Sequence, residues 1–402
     1  MGFLDFIFRR QPRRTAAEIF SFLAGKRILL VSHELSLTGA PLQLAELGRA
    51  FRSAGADVTF INLSWREENF PQEALADLRT PPGAESLPDV VSADLIIANT
   101  AVAKDWIRSI LDAFPAFARK LVWWIHEIDT DVFGGGMDLM ERVACVIFDS
   151  HACMEAWRAS GCRMPGGSGV VHLGVEERLI TEAARMIRRE KSARESVRRA
   201  LGVGPDEMLL SLFATYERRK GQDSLVALTG RMLETEPALP LRLLLIGFPL
   251  PEARADFLAR LTPAQRIAIT PERARIREAD LAPYYLASDA YVMNSQPPGE
   301  PFGRVTIEAM TFGLPVLGSA AGGTLEIIRD GKTGWLHPAG PDGEAQLERN
   351  IRTVLARRRT ARARGRAGQK LVREYFNETR FADNLAAVLR PLVQDRPETD
   401  AR

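Results

Sequence analysis

Arg27-Ile28-Leu29-Leu30-Val31-Ser32 is a continuous apolar run, followed by a polar turn and then by apolar residues at helical spacing, Leu42, Leu44, Leu47, Ala50 and Phe51. A second run, Asp57-Val58-Thr59-Phe60-Ile61, completes a strand, helix, strand succession. Such a succession predicts a parallel βαβ unit with a right-handed crossover. The alternation recurs with strands at 93–98, 120–125, 143–148 and 169–172, so a doubly wound sheet is expected. It pauses at Val171-His172-Leu173-Gly174-Val175, where a charged helical stretch of about 177–201 follows, and restarts with strands at 208–213, 241–246, 290–293 and 314–318. A chain of 402 residues exceeds one ordinary domain, and two of roughly 150–200 residues are the natural division. Ligands of open parallel sheets bind at strand C-terminal ends, so a cleft between two such domains is the expected site.

Composition narrows the function. Lys plus Arg number 53 against 51 for Asp plus Glu, so no global basic field argues for nucleic acid. The three cysteines, Cys145, Cys153 and Cys162, lack metal-type spacing and read as small apolar fillers in a reducing compartment. No run approaches the ~20 apolar residues that span a bilayer, and the N-terminus lacks a secretory core, so a cytoplasmic protein is expected. In residues 1–14, Phe3, Leu4, Phe6, Ile7 and Phe8 precede Arg9, Arg10, Arg13 and Arg14. That pattern suits either the anionic inner face of a cell membrane or a terminus packed on its own domain. The dense arginines Arg357, Arg358, Arg359, Arg362, Arg364 and Arg366 read as a solvated helix face.

The chemistry is concentrated in Glu300-Pro301-Phe302-Gly303-Arg304-Val305-Thr306-Ile307-Glu308, continuing to Gly313-Leu314-Pro315-Val316. It reads as loop, short helix and buried strand, with Gly313 ending the helix. Glu300 precedes the helix and Glu308 lies more than a turn inside it, so the two acids cannot form the side-by-side pair of a glycoside hydrolase. They are expected to serve different parts of one ligand, with the helix N-terminus favouring a phosphate.

Four loops at strand ends add to it. Thr38-Gly39-Ala40 opens a helix, and His126-Glu127 follows the buried strand of Trp123 and Trp124, both core residues. Tyr216-Glu217-Arg218-Arg219-Lys220-Gly221 gathers cations that would repel each other without an anionic partner, and a diphosphate supplies one. Gly322-Gly323-Thr324 presents backbone donors to phosphate or sugar oxygens. No P-loop Lys-Ser/Thr and no nucleophile-elbow serine is present.

Glu300 and Glu308, with seven residues between them, and Gly313-Leu314-Pro315-Val316 resemble the E-x7-E signature of retaining glycosyltransferases of family 4. Arg219-Lys220-Gly221 is similar to that family's R-K-G loop, 321–326 to its A-G-G-x-x-E turn, and 330–336 to its D-G-x-x-G-x-L close. Thr38-Gly39-Ala40, His126-Glu127 and His172-Leu173-Gly174-Val175 resemble its N-terminal motifs. The resemblance implies an α/β fold of the GT-B type, two Rossmann-like doubly wound parallel-sheet domains facing across a cleft. Residues 1–173 would bind the acceptor, 174–376 the nucleotide-sugar donor, and a C-terminal helix in 377–402 would pack back on the first domain.

By the same resemblance Arg219 and Lys220 would bind the donor diphosphate, and Arg218 would share that charge because Thr215 stands where many relatives have Arg. Glu308 would accept from ribose hydroxyls. Glu300 would hold hydroxyls of the transferred sugar with the backbone N–H groups of Phe302 and Gly303, and His126 would approach that sugar. Thr38, Gly39 and Ala40 would form the acceptor and diphosphate loop, Thr38 departing from a common first glycine. The implied activity is retaining transfer of a hexose-type sugar from a nucleoside-diphosphate sugar to a hydroxyl of a saccharide or lipid-linked acceptor in cell-surface polysaccharide synthesis. Leaving-group charge would be met by cations and helix N-termini, so no metal or cofactor is expected. A nucleotide-sugar 2-epimerase fits the E-x7-E and R-K-G stretches poorly, and the other alternative is a non-catalytic scaffold of the same fold.

Overall fold

The computed structural model describes residues 14–35, 39–64, 87–189, 191–215, 217–247, 267–269 and 278–394. The amphipathic pattern of the first residues, Thr38 and Tyr216 therefore lie outside the described residues. The chain divides into two compact units. Unit 1 comprises Met1–Phe148, Arg158–Val171 and Glu378–Arg402, and unit 2 comprises Asp149–Trp157 and His172–Asn377.

Unit 1 holds strands β1 (Arg27–Ser32), β2 (Asp57–Asn62), β3 (Leu95–Asn99), β4 (Leu121–Ile125), β5 (Cys145–Phe148) and β6 (Gly169–Val170). They form one sheet in the order β2-β1-β3-β4-β5-β6 with every pairing parallel. β3, β4 and β5 are buried along their whole length, as the continuous apolar runs require of a sheet covered on both faces. Trp123 and Trp124 point to opposite faces of β4 and are both fully buried. The helix Glu378–Gln394 belongs to this unit, where Phe381 stacks on Trp124 with ring centroids 5.9 Å apart. Cys145, Cys153 and Cys162 are free and buried, and burial pushes the Cys145 thiol up to about 12.

Unit 2 holds β7 (Met208–Phe213), β8 (Leu241–Ile246), β9 (Ile267–Ile269), β10 (Ala290–Met293), β11 (Val316–Ser319) and β12 (Gly334–His337). Their order is β12-β11-β10-β7-β8-β9, again all parallel. Its core joins Leu210, Leu212, Leu243, Leu245, Val292 and Leu317 of the sheet to Leu225, Leu228, Leu347 and Ile351 of the covering helices.

The differences from expectation have local causes. β9 and β12 were not anticipated: β9 has three residues, and β12 opens on a glycine inside a turn-rich motif. β11 starts after Pro315, which has no N–H to donate to a ladder. The charged stretch forms two helices, Glu177–Arg189 and Lys191–Ala200. The boundary expected near 173 falls between Val171 and His172, the chain returns to unit 1 at Glu378, and the one departure is an earlier excursion into unit 2 at Asp149–Trp157. Asp149–Trp157 belongs there because Ser150 Oγ donates to the Pro301 carbonyl and Glu326 accepts from the N–H groups of His151 and Ala152.

In each sheet one pair of neighbouring strands marks where the strand order reverses. In unit 1 it lies between β1 and β3, and in unit 2 between β7 and β10. Loops leaving the C-terminal ends at such a point diverge and leave a crevice for a ligand. Most of the residues singled out in the sequence follow these four strands.

Candidate active site

After β7 the chain runs through Thr215 into a turn, Arg218–Lys220, and reverses at Gly221 before the helix Gln222–Thr235. Gly221 has φ +70°, and a Cβ there would collide with the Asn294 carbonyl oxygen just beyond β10. Glycine is needed for both reasons. Asn294 Nδ2 donates to the Gly221 carbonyl and to Ser224 Oγ, each at 2.9 Å, and the Gln296 N–H donates to the Arg219 carbonyl at 2.7 Å. The basic turn after β7 is thus tied to the segment after β10 that leads to Glu300.

Glu300 is buried, at 6% exposure. Lys220 Nζ lies 2.9 and 2.8 Å from its two oxygens, Arg219 Nη1 lies 3.4 Å from Oε1, and Ser295 Oγ donates to Oε1. Burial by itself would raise the Glu300 pKa. The charges of Lys220 and Arg219, with the hydrogen bonds from Lys220 and Ser295, outweigh it and hold the carboxyl below the usual range. The clustered cations thus have anionic partners within the protein: Glu300 for Lys220 and Arg219, and Glu217 3.5 Å from Arg219. Arg218 is exposed.

The glycine-rich turn packs directly on Glu300. The Gly323 N–H donates to the Glu300 carbonyl at 2.8 Å, and Cβ atoms at Gly322 and Gly323 would strike the backbones of Glu300 and Phe302. Gly323 therefore spends its N–H inside the protein, where the sequence suggested a donor for a ligand. Thr324 Oγ1 is buried with no hydrogen-bond partner. Phe302 is buried against His172, stacked at 5.6 Å, and Gly303, at φ +101°, precedes the helix Arg304–Thr311.

Glu308 lies inside that helix and is also buried. Tyr285 Oη donates to its Oε2 at 3.0 Å, and Arg304 Nε is 3.3 Å from Oε1. The pair of acids thus has separate settings: Glu300 among cations at the mouth of the β7 and β10 loops, Glu308 one helix turn beyond Arg304.

Sequence reading missed Tyr285, Asn294, Ser295 and Arg304. Arg304, at i−4 from Glu308 on a short helix, carried a readable signal. The others act through tertiary contacts. Asn294 Oδ1 also faces His337 Nε2 at 3.2 Å, and burial lowers the His337 pKa to about 4, so this imidazole is neutral.

His151, His172 and Glu326 bring three potential metal-ligand atoms within 4.8 Å of one another. In this arrangement Glu326 serves as a cap: its oxygens accept from the backbone N–H groups of His151 (3.1 Å) and Ala152 (2.9 Å), and Oε2 lies 2.7 Å from His172 Nε2.

In unit 1, Gly39 and Ala40 begin the helix Gly39–Ser53. His126 follows β4, with its backbone N–H donating to Glu127 Oε2 at 3.0 Å and its ring 4.8 Å from that of Trp124.

Residues 24–187 match the family model described as glycosyl-transferase family 4, and residues 194–371 match that of glycosyl transferases group 1. Together the two matches make the chain consistent with a glycosyltransferase of the family 4 type. Among curated relatives, D-inositol 3-phosphate glycosyltransferase of Rhodococcus erythropolis is 33% identical over 166 residues, 39% of this chain and 36% of that protein. The enzyme of the same name from Geodermatophilus obscurus is 32% identical over 219 residues, 52% of this chain and 46% of that protein. These matches span less than half the length of the curated relatives. Among solved structures, Anabaena HepE in complex with UDP and glucose superposes with a TM-score of 0.74 at 23% identity, covering 91% of this chain and 99% of that one. Sucrose-phosphate synthase from Thermosynechococcus elongatus gives 0.69 at 23% identity, covering 92% and 99%. The fold is GT-B. Among the described residues no helix is long and apolar enough to cross a membrane.

Proposed function

We propose that this family 4 protein is a retaining glycosyltransferase that moves a hexose-type sugar from a nucleoside-diphosphate sugar to a hydroxyl of a saccharide or lipid-linked acceptor. The observation that carries the reading is the buried Glu300 carboxylate held by Lys220, Arg219 and Ser295 at the switch point of unit 2. An anionic diphosphate entering beside Lys220 and Arg219 meets preorganised positive charge, so leaving-group charge is stabilised electrostatically and no metal is required. Glu300 uses its remaining acceptor capacity on hydroxyls of the transferred sugar, next to Phe302 and Gly303. Glu308 accepts from the ribose diol, and Tyr285 and Arg304 hold its carboxylate in place. Arg218, Gly322, Gly323 and Thr324 line the phosphate end, and within unit 1 His126 and the helix start at Gly39 and Ala40 are the residues assigned to the transfer.

UDP-glucose is the first donor to try, since UDP-glucose is bound in a structure of the HepE relative. Calorimetry and radiolabelled transfer test the assignment together. Glu308→Ala is expected to lose UDP-glucose binding, and Lys220→Ala to lose turnover. Unchanged binding and turnover in both variants would remove these residues from the site.

A further inference from the structure

At the switch point of unit 1, Asn99 is the last residue of β3 and is fully buried. Its Nδ2 donates to the Ala40 carbonyl at 3.0 Å, and its Oδ1 lies 2.6 Å from His126 Nε2. One buried amide therefore joins the start of the helix that follows β1 to the histidine that follows β4. A peptide carbonyl can only accept, so the Ala40 oxygen dictates which end of the amide faces it. The acceptor end then faces His126, and Nε2 must carry a proton. In the neutral ring the lone pair falls to Nδ1.

The backbone on both sides of this contact is fixed. Thr100, next to Asn99, has φ +73°, a conformation that a β-branched residue adopts only where its surroundings impose it. Its N–H donates to the Trp124 carbonyl at 2.7 Å, its own carbonyl accepts from Trp123 Nε1 at 2.8 Å, and its Oγ1 accepts from the Val102 N–H. Glu127 Oε2 accepts from the backbone N–H groups of both His126 and Ala101. His33, at the end of β1, has a lowered pKa, chiefly from burial, with Glu34 opposing and His126 contributing. The His126 ring thus meets Asn99 and Trp124 and lies within electrostatic reach of His33, with Glu127 accepting from its backbone N–H.

We propose that Asn99 is a positioning residue that fixes His126 as the Nε2–H tautomer and couples its orientation to the helix start at Gly39-Ala40. This rests on the reading that His126 takes part in the transfer. Selective 15N-histidine labelling of the full chain tests it, because the chain has five histidines and the His126 signals are assigned by their loss in His126→Gln. The wild-type spectrum is expected to show a protonated Nε2 and an unprotonated Nδ1. In Asn99→Ala both tautomers should exchange, and kcat for UDP-glucose hydrolysis should fall on the order of tenfold or more while KM stays within about twofold. A protonated Nδ1 in the wild type, or an unchanged tautomer and rate in Asn99→Ala, overturns the proposal. Should Asn99→Ala fail to fold, the wild-type spectrum still decides the tautomer. Wild-type hydrolysis by His126→Gln would overturn the role of His126 itself, a failure distinct from that of the Asn99 assignment, which shows in the spectrum.

Discussion

Replacing Lys220 by methionine keeps the side-chain volume and removes the charge that touches both oxygens of Glu300. Removing one partner of a buried pair costs about 3–5 kcal/mol, because the other charge is left without compensation. Arg219 remains at 3.4 Å and Ser295 still donates, so the lower end, about 3 kcal/mol near neutral pH, is expected. For a unit of this size that is a fall of about 6–12 °C in unfolding midpoint. The pH dependence gives a second signature. The folded-state pKa of Glu300 is lowered, so its stabilising contribution is full above the ordinary glutamate value and is lost as pH falls through the lowered one. In Lys220→Met burial dominates and the folded pKa rises above the unfolded value, so the variant gains relative stability as pH falls through that raised pKa. The gap between the two proteins is widest at neutral pH and narrows in acid. Adding Glu300→Gln neutralises the stranded charge and should recover most of the loss. Denaturant or thermal unfolding of the three proteins from neutral to acid pH measures all of it. A loss below about 0.5 kcal/mol in Lys220→Met, or a gap that does not narrow in acid, refutes the reasoning.

Further outcomes follow from single contacts. Tyr285→Phe removes one hydrogen bond to the Glu308 carboxylate, worth about 1.5–3 kcal/mol, and should weaken UDP-glucose binding in calorimetry by at least tenfold. Gly221→Ala places a Cβ at φ +70° against the Asn294 carbonyl and should lower the unfolding free energy by more than the about 1–2 kcal/mol of left-handed strain alone, read by denaturant unfolding. Glu326→Ala leaves the N–H groups of His151 and Ala152 without their carboxylate and should cost about 1 kcal/mol in denaturant unfolding. Cys145, with its thiol pushed up to about 12, should resist a maleimide in the folded protein and react on unfolding.

The sheets were legible because their strands are buried on both faces and read as unbroken apolar runs, as in Arg27–Ser32 and Met208–Phe213. The three-residue Ile267–Ile269 and the glycine-led Gly334–His337 were not, since runs that short carry no period. At the site, residue types disclosed Glu300, Lys220 and Arg219 as a charged group serving one ligand. They did not disclose that these side chains satisfy one another, because that pairing depends on the order of β7 and β10 in the sheet. The paired glycines at 322 and 323 read in the sequence as backbone donors to phosphate or sugar oxygens, whereas in the fold they let two backbones touch and Gly323 donates to the Glu300 carbonyl. Asn99 and Tyr285 gave no signal of their own, a buried asparagine at a strand end and a tyrosine in a helix, until tertiary structure set them against His126 and Glu308.

The central claim, that the Glu300 to Glu308 region of unit 2 holds a nucleoside-diphosphate sugar, is tested most directly by a thermal-shift panel of nucleotide sugars on the wild type and Glu308→Ala. A donor present at one hundred times its dissociation constant stabilises by about 2.7 kcal/mol. At least one nucleotide sugar is predicted to raise the wild-type midpoint by several degrees and to leave Glu308→Ala unmoved. A panel in which none shifts the wild type, or in which the same sugar shifts both proteins equally, contradicts the account.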